Sequence, residues 1–482
     1  MEFSKRIIAG CVAAVLGVGS VAGAQTLYSG DAGFGKQWVR QHPLTVGGDS
    51  LYPATWDFAE YFGAGMNILF KDVGYSHTIN PLNRPAQFAA SPWQAFLPVP
   101  TGSPQAGVTE YNNLRNTPYN AGWIVGDEPT RVRMDDHATV TAAIRQNNLN
   151  QVVYTTLSNN NGPNGVWYGD GVNTTYTYQS YVDDFVSIIK PDVMVYDYYP
   201  FRTDGTTDAK YIENMMIIRN KALAEGLPYW AWMQSWGISN SRYPSESDNR
   251  YNVYTHLTAG YTGLIYWTYD YYGGTGDGLI GQNGNPTPLY YQAAATNAEA
   301  ITLGKTLRYL TSTDVRFVAG RHQNGIFTTP NATPLGLTAW STQAGGDPHM
   351  TGASVNWNVT GGIGEEKNGL LGFFTDDSGQ NYFMLTNLNH GMNQLAANTA
   401  MTFTLSFDNQ TNTLLRLNRE TGQQEVVNLV NHQLIWNLPG GTGDLFKYNT
   451  GDFVVPEPAM GALMMMGLAL AGMRRPRSRM EQ

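Results

Sequence analysis

The chain has 482 residues, which is more than one ordinary domain contains and predicts two or three folded units. Hydrophobic residues make up 42% of it, enough for a sizeable core, whereas charged residues make up only 14%, below the usual quarter or so. The formal net charge is −9 and no basic stripe lies between the two ends. Because a sequence-blind nucleic-acid binder needs clustered Lys and Arg, this charge pattern excludes that class.

Residues 1–24 predict a secretory signal peptide. A basic pair, Lys5 and Arg6, precedes an apolar run, and small residues ending at Ala24 form a cleavage motif. Too little apolar sequence precedes Cys11 for the lipobox of a lipoprotein. Since Cys11 is the single cysteine of the chain, the mature protein would have none. Export is therefore expected, without disulfides, thiolate nucleophiles or cysteine metal ligands.

The other end of the chain carries a three-part motif over residues 455–478. A Pro-Glu-Pro box at 456–458 is followed by an apolar run at 459–473 and an arginine cluster at 474–477. The apolar run is short for a permanent membrane span of about 20 residues. This order resembles a PEP-CTERM sorting signal, which implies exosortase processing, a transient C-terminal membrane anchor, and delivery to the cell envelope or extracellular matrix. A plain C-terminal anchor is the alternative.

Short apolar runs alternate with helical patterns over residues 26–305. Strands are predicted at Thr45–Asp49, Met66–Phe70, Ala95–Val99, Gly122–Gly126, Gln151–Thr155, Val193–Asp197, Tyr229–Met233 and Gly263–Trp267. Helices are predicted at Asp135–Asn147, Tyr178–Ile189, Asp208–Glu225 and Ser245–Ala259. Eight parallel strands joined by crossover helices predict a (β/α)8 TIM barrel. An open doubly wound sheet is the alternative, but no glycine-rich phosphate loop follows an early strand.

The pattern changes after residue 305. Short alternating strands separated by Gly, Asn and Asp turns are predicted at Gly369–Thr375, Asn381–Leu388, Met401–Phe407, Leu414–Asn418 and Glu425–Leu429. They predict an antiparallel β-sandwich domain over 310–452, and its expected role is to pack against the barrel.

Carboxylates and aromatic residues end several of the predicted barrel strands. Asp127 and Glu128 follow strand four, Asp197 ends strand six, and Asp270 follows strand eight. Reactive groups of a TIM barrel gather at these strand ends. A carboxylic acid with a raised pKa and a second carboxylate are what glycosidic cleavage needs, and aromatic rings offer flat surfaces for sugars. The alternative is acids that cap helices and rings that only pack the barrel.

Residues 121–305 resemble the barrels of clan A glycoside hydrolases. The resemblance rests on Gly-Asp-Glu-Pro at 126–129, Tyr-Asp-Tyr-Tyr-Pro-Phe at 196–201 and the aromatic end of strand eight at Trp267. In that clan the acid/base Glu follows an Asn at the end of strand four. The resemblance therefore implies the acid/base role for Glu128, with Asp127 in the place of the Asn.

The chain departs from clan A at strand seven, where Gln234 stands in the place of the nucleophilic Glu. A shifted strand count would make Asp270, Asp197 or Glu246 the second carboxylate. In an inverting mechanism one of these acids would activate water. A substrate N-acetyl group could act as internal nucleophile, because Asp127-Glu128 is similar to the β-hexosaminidase pair and strand six is similar to that of chitinase-like barrels. A barrel that binds glycans without catalysis is the fourth alternative.

These patterns predict a secreted glycoside hydrolase that acts on a poly- or oligosaccharide. Glu128 is expected to be the general acid, with Asp197 or Asp270 as its partner and Asp127 as an orienting group. The side chains expected to line the cleft are Trp123, Tyr198, Tyr199, Trp232, Trp236 and Trp267, with Gln234 bonding a sugar hydroxyl. No cofactor and no metal are expected. The rival hypothesis is a non-catalytic matrix protein that binds extracellular polysaccharide.

Overall fold

A computed structural model describes residues 26–49, 58–70, 94–99, 102–116, 120–147, 149–162, 168–170, 172, 175–271, 276–324, 327–341, 347–356 and 367–454. The predicted signal peptide at 1–24 and the predicted sorting tail at 455–478 lie outside these residues. Within the part of the chain that is described, no helix has both the length and the apolar character needed to cross a bilayer.

Eight parallel strands, hydrogen-bonded in chain order, close into a barrel. They are β1 (Thr45–Asp49), β2 (Ile68–Phe70), β3 (Gln94–Val99), β4 (Asn120–Asp127), β5 (Val152–Leu157), β6 (Met194–Tyr198), β7 (Tyr229–Gln234) and β8 (Gly263–Trp267). Strand β8 pairs with β1, beginning with Gly263 opposite Thr45. This closure confirms the predicted (β/α)8 barrel, and the open doubly wound sheet is wrong.

The helices surround the barrel and cover one of its ends. They are α1 (Phe34–Gln41), α2 (Phe58–Gly63), α3 (Pro104–Leu114), α4 (Met134–Arg145), α5 (Tyr178–Ile189), α6 (Lys210–Ala224), α7 (Glu246–Ala259) and α8 (Pro288–Leu307). Helix α7 starts where the sequence predicts, because the Ser245 hydroxyl accepts from Asp248 N while Asp248 accepts from Ser245 N, at 3.2 and 2.8 Å. This reciprocal cap satisfies two amide groups at the helix start.

Aromatic rings fill the barrel interior and face glycines on neighbouring strands. The rings of Phe70, Phe96 and Trp230 lie in one buried cluster. A methyl group added at Gly263 would come within 2.2 Å of the Trp230 ring, and one added at Gly122 within 2.5 Å of Phe96. The glycines therefore provide the space that such large rings need inside a closed barrel.

Helix α1 closes the end of the barrel at which the strands begin. The Trp38 ring lies 6.0 Å from the ring of Phe96 and 5.8 Å from that of Trp230. Only 3% of Trp38 is exposed. This side chain forms the floor of the barrel, so the opposite end is the mouth.

A β-sandwich follows the barrel and confirms the predicted fold class. Its strands are β9 (Thr311–Val318), β10 (Arg321–Asn324), β11 (Phe327–Pro330), β12 (Thr338–Ala339), β13 (Met350–Asn356), β14 (Gly369–Thr375), β15 (Asn381–Asn387), β16 (Met401–Phe407), β17 (Thr413–Leu417), β18 (Gln424–Asn428), β19 (Gln433–Leu438) and β20 (Gly443–Tyr448). A sheet in the order β12-β9-β14-β15-β20-β17-β18 packs on a sheet in the order β13-β16-β19. The β12–β9 pairing is parallel and the others are antiparallel.

Buried charges join the barrel to the sandwich. Glu299 of α8 accepts two hydrogen bonds from the Arg250 guanidinium of α7, at 2.9 and 3.0 Å. Arg419 of the sandwich lies 3.2 Å from the same carboxylate and 2.6 Å from Asp444 of β20. The sandwich therefore contributes a cation to a barrel carboxylate, in agreement with its expected packing role.

Candidate active site at the mouth of the barrel

The C-terminal end of β4 brings two carboxylates to the mouth. The register with β5 shifts between Ile124 and Asp127, and Gly126 has a φ of 70°. Glu128 has a φ of 38°, and its N–H donates to the Thr156 carbonyl at 3.0 Å. A left-handed conformation is uncommon for a residue with a side chain, and strained backbone positions tend to cluster at active sites. This irregular strand end leaves Asp127 exposed and Glu128 half-buried.

Asp197, at the end of β6, meets this pair from inside the barrel. Its side chain is close enough to Glu128 for the two carboxyls to interact, and only 9% of the residue is exposed. Burial raises the pKa of Asp197 well above its usual range, and the charges of Glu128 and Asp127 raise it further. Its Oδ1 atom has no hydrogen-bond partner among the described residues. The three carboxyls that the sequence predicted at β4 and β6 are thus neighbours.

Aromatic rings surround these carboxyls. Tyr199 lies edge-on to Trp236, with ring centroids 5.6 Å apart. Burial raises the pKa of Tyr199, and the nearby charges of Asp197, Asp127 and Glu128 add to that shift. In the barrel interior, Trp232 Nε1 donates to Thr156 Oγ1 at 3.2 Å, and its ring lies 6.3 Å from Trp267. Four of the residues predicted to line the cleft therefore face the mouth of the barrel: Tyr199, Trp232, Trp236 and Trp267.

Three other residues predicted to line the cleft lie elsewhere: Trp123, Tyr198 and Gln234. Trp123 is buried under helix α3, against Tyr111, and its Nε1 donates to Gln151 at 3.1 Å. Tyr198 points to the helix layer, where its ring packs on Tyr211. Successive side chains of a strand point to opposite sides. Since Ile124 and Asp197 point into the barrel, the adjacent Trp123 and Tyr198 point outward. The prediction that Trp123 and Tyr198 line the cleft is wrong.

Gln234 is a structural amide. Its Oε1 accepts from the Phe201 N–H at 2.9 Å, and its Nε2 donates to the carbonyls of Trp236 and Arg242 at 3.1 and 2.9 Å. Only 1% of the residue is exposed. These bonds hold the loops after β6 and β7, so the predicted bond from Gln234 to a sugar hydroxyl is wrong.

The other two acids considered as the second carboxylate, Asp270 and Glu246, do not lie beside Glu128 and Asp197. The charge of Asp270 acts on the phenols of Tyr61 and Tyr269, which belong to the helix-side core cluster. Glu246 begins helix α7, where it pairs with Arg250 at 3.2 Å and accepts from the Ala396 N–H of the sandwich at 3.1 Å. The structure therefore brings Asp197, and not Glu246, to Glu128, and it places Asp270 among tyrosines.

One further carboxylate at the mouth was not singled out from the sequence. Asp49 ends β1 and is fully buried. Its charge raises the pKa of Tyr199 and also that of Tyr154, a buried interior residue whose pKa Asp127 raises as well. The signal was available, because Thr45–Asp49 was predicted as a strand and its last residue is an acid. Among the described residues, no group of three or more His, Cys, Asp or Glu side chains is arranged to hold a metal ion.

The fold and this mouth define a closed (β/α)8 barrel with clustered carboxyls and aromatic rings at the ends of its strands. No protein-family model and no curated protein sequence matches the chain. Similar solved structures include a glycoside hydrolase at 11% identity, with 85% of this chain and 94% of that chain covered and a TM-score of 0.45.

Two further solved structures are similar to this chain. A glycoside hydrolase family 30 subfamily 8 xylanase from Clostridium acetobutylicum is 10% identical over 83% of this chain and 95% of its own, with a TM-score of 0.40. The carboxyl transferase domain of Rhizobium etli pyruvate carboxylase is 12% identical over 55% and 48%, with a TM-score of 0.35. Since one fold can host many unrelated reactions, the function of this chain must be argued from its site.

Proposed function

We propose that the protein is a glycoside hydrolase that cleaves glycosidic bonds of a poly- or oligosaccharide, with Glu128 as the proton donor. The observation that carries this proposal is the close pair of Glu128 and Asp197 carboxyls at the barrel mouth. Departure of a glycosidic oxygen requires a carboxylic acid that is still protonated near neutral pH. Burial and the neighbouring charges raise the pKa of Asp197, so a proton is available beside Glu128.

The two members of the pair have different access to a ligand. Asp197 is buried in the barrel, whereas Glu128 is half-buried at the mouth. A sugar entering the mouth therefore meets Glu128 first. In this proposal Asp197 supplies the proton that Glu128 transfers to the leaving oxygen. The exposed carboxylate of Asp127 stabilises the positive charge that develops on the sugar ring.

The close interaction of the two carboxyls also bears on the role of Asp197. The acid and the nucleophile of a retaining enzyme lie about 5 Å apart, and the acid and base of an inverting enzyme about 6.5–9.5 Å. Asp197 interacts with the Glu128 carboxyl itself instead of facing it across a sugar. In this proposal Asp197 is therefore the partner that supplies the proton. Because Gln234 is also fully hydrogen-bonded, the nucleophile is water, another carboxylate or a group of the substrate.

The aromatic residues of the mouth give the sugar a surface to bind. Tyr199, Trp232, Trp236 and Trp267 offer ring faces and edges, which suit the apolar faces of pyranose rings.

A glycan and aryl-glycoside screen on the purified protein, run beside Glu128→Gln, tests the proposal. General acid catalysis predicts that kcat falls about 10²–10⁴-fold in the variant. The loss is expected to be smaller with a dinitrophenyl glycoside, whose leaving group needs no proton. Glu420→Gln, at a sandwich side chain that is 67% exposed, is the matched control and should keep full turnover. Equal turnover in Glu128→Gln and the wild type would discard the proposal.

One observation favours the rival, a non-catalytic polysaccharide-binding matrix protein. Strand β7 ends in a buried amide that is committed to backbone groups, so the carboxylate that clan A places there has no counterpart. The same screen separates the two functions. Polysaccharide binding by the wild type and by Glu128→Gln, with no turnover of any glycoside in either, would support the matrix protein.

We propose in addition that the protein is exported and reaches the cell envelope or extracellular matrix by exosortase processing of residues 455–478. The signal-peptide pattern at 1–24 and the three-part tail support this route. Mass spectrometry of the protein from its native source should find Gln25 as the first residue and no residues of the arginine cluster at 474–477. An intact C-terminal tail on the exported protein would contradict the processing step.

A further inference from the structure

The last described residues of the chain are held against the barrel and the sandwich. The Val454 carbonyl accepts a hydrogen bond from Thr306 Oγ1 of α8 at 2.8 Å, and the Val454 N–H donates to the Tyr382 hydroxyl at 3.4 Å. The buried ring of Phe453 lies 5.8 Å from the ring of Tyr382. The tail at 455–478 therefore leaves the fold from a fixed point beside the last turn of α8.

This point lies at the floor end of the barrel. A methyl group added at Gly304 in the last turn of α8 would come within 2.4 Å of the Cβ atom of Leu44, the residue before β1. The Tyr309 hydroxyl, just after α8, donates to the Arg40 carbonyl of α1 at 3.0 Å. Because α1 closes the floor, the tail leaves the fold beside the floor and away from the mouth.

Basic side chains surround the same point. Lys36 and Arg40 belong to α1, Lys305 lies in the last turn of α8, and Arg308 follows that helix. The guanidinium carbons of Arg40 and Arg308 lie 5.8 and 5.3 Å from the centre of the Tyr309 ring, and Lys36 lines the same surface depression as Arg40 and Tyr309. Lys36 and Lys305 are exposed. Since two distant parts of the chain form this cluster, no basic stripe in the sequence reveals it.

Two acidic side chains near the cluster have partners within the protein. Asp377 of the sandwich pairs with Arg40 at 2.7 Å. Asp31, just before α1, accepts from the Tyr28 N–H at 2.9 Å. The surface around the exit of the tail is therefore basic, although the whole chain has a formal charge of −9. A basic patch on an acidic protein indicates an anionic partner.

The tail itself favours a membrane as that partner. Residues 455–458 separate Val454 from the apolar run, which begins at Ala459. This connection spans at most about 18 Å, at about 3.6 Å per residue. The apolar run is short for a permanent span, and a weak anchor gains stable attachment from a second signal such as a polybasic patch. The basic cluster lies where such a second signal is needed.

We propose that the basic surface at the floor, formed by Lys36, Arg40, Lys305 and Arg308, docks on anionic lipid headgroups while the tail is in the membrane. The barrel then stands on its floor, and the mouth faces away from the bilayer, open to a polymeric ligand. Each basic residue near an anionic bilayer strengthens the association about fivefold. Because the tail holds the floor close to the bilayer, this modest attraction is sufficient. The inference rests on the proposed export route and not on hydrolysis at Glu128.

Quenching of site-specific labels by lipids tests this orientation. The chain without its signal peptide has no cysteine, since Cys11 is its only one, so a single thiol can be introduced and labelled with a fluorophore. Gln41→Cys places the label at the exposed end of α1, and Asp204→Cys places it in an exposed loop after β6, at the mouth. Each labelled chain, with its tail, is added to phosphatidylcholine vesicles that contain a lipid with a nitroxide headgroup, with and without phosphatidylglycerol.

In vesicles with phosphatidylglycerol, the floor label should be quenched and the mouth label should keep its fluorescence. The double variant Lys36→Gln/Lys305→Gln should lower the ratio of docked to undocked protein about tenfold or more, and added salt should lower it as well. Lys210→Gln, at an exposed lysine where α6 begins on the mouth side, is the matched control and should dock as the wild type does.

Equal quenching of the two labels would overturn the proposal and leave the basic surface to a soluble polyanion. Unchanged quenching of the floor label in the double lysine variant would overturn it as well. Flotation of the chain with the vesicles reports on the tail alone, so flotation with equal quenching contradicts only the docking of the floor. Absence of flotation contradicts both the membrane anchor and the docking. Processing of the tail is tested by mass spectrometry, so the two proposals fail separately.

Discussion

The two ends of the barrel have opposite chemistry. At the mouth, Asp127, Glu128 and Asp197 are close enough to perturb one another, and burial of Asp197 makes its ionised form unfavourable. At the floor, Trp38 packs between the rings of Phe96 and Trp230, and the polar side chains beside Trp38 are mostly neutral amides. The chain accepts an energetic cost at the mouth and not at the floor. Like charges are concentrated around a buried carboxyl at the end where loops leave the strands, whereas the interior of the other end is packed for stability.

The largest expected effect is on stability, in Trp38→Ala. Removing a buried Trp leaves a cavity at the floor and should lower the free energy of unfolding by about 3–5 kcal/mol. At a temperature well below its unfolding transition, the variant should keep near wild-type turnover, because the mouth is at the other end of the strands. Chemical denaturation and a glycosidase assay on the same preparation measure both quantities.

Gln41→Ala is the control for this variant, since Gln41 is exposed on the same helix and its loss should change stability by no more than about 0.5 kcal/mol. A Trp38→Ala protein as stable as the wild type would show that the floor is not a packing element. Loss of turnover in a folded Trp38→Ala protein would show that the two ends are coupled.

Asp197→Asn should lower turnover, which Trp38→Ala is expected to keep. Asparagine keeps the shape of the side chain but cannot share a proton with Glu128, so turnover should fall roughly 10²-fold. The matched control is Asp204→Asn, at an exposed aspartate in the loop after β6, and it should be as active as the wild type. Undiminished turnover in Asp197→Asn would remove Asp197 from the proposed acid pair.

The same variant should change how stability depends on pH. Because the pKa of Asp197 is raised in the folded state, its contribution to stability is complete below the unfolded pKa of about 3.9 and is lost as the pH rises through the folded pKa. The free energy of unfolding of the wild type, relative to Asp197→Asn, should therefore decrease as the pH rises above about 4. Urea denaturation at a series of pH values measures this difference, and a flat or increasing one would contradict the raised pKa.

Much of the barrel could be predicted because its strands are continuous apolar runs. Strands β1 and β8 lie at the predicted residues, and helix α5 has its predicted bounds. Helix α1 was missed, since Phe34–Gln41 carries four polar or charged residues in eight and its apolar side chains make sense only against a closed barrel. Strands β19 and β20 were also missed; β20 contains Gly443, Asp444 and Lys447, which are buried in the sheet although such residues are typical of exposed turns.

The site was partly predictable, and the failures have physical causes. The outward orientation of Tyr198 follows from the inward orientation of Asp197 by strand alternation, so the sequence contained that information. The orientation of Glu128 did not follow, because the register shift after Ile124 changes the alternation at the end of β4. The role of Gln234 depends on carbonyls in two loops, at Phe201 and Arg242, which no local pattern reveals.

The shared carboxylate of Glu299 has a consequence for the stability of the barrel without its sandwich. Arg250 of the barrel and Arg419 of the sandwich both lie against it, and Arg419 also pairs with Asp444. Excising the sandwich would strip one counterion from Glu299 and expose a face of α7 and α8 that its strands now cover. Folding of the barrel alone is therefore expected to be less favourable than folding of the two parts together.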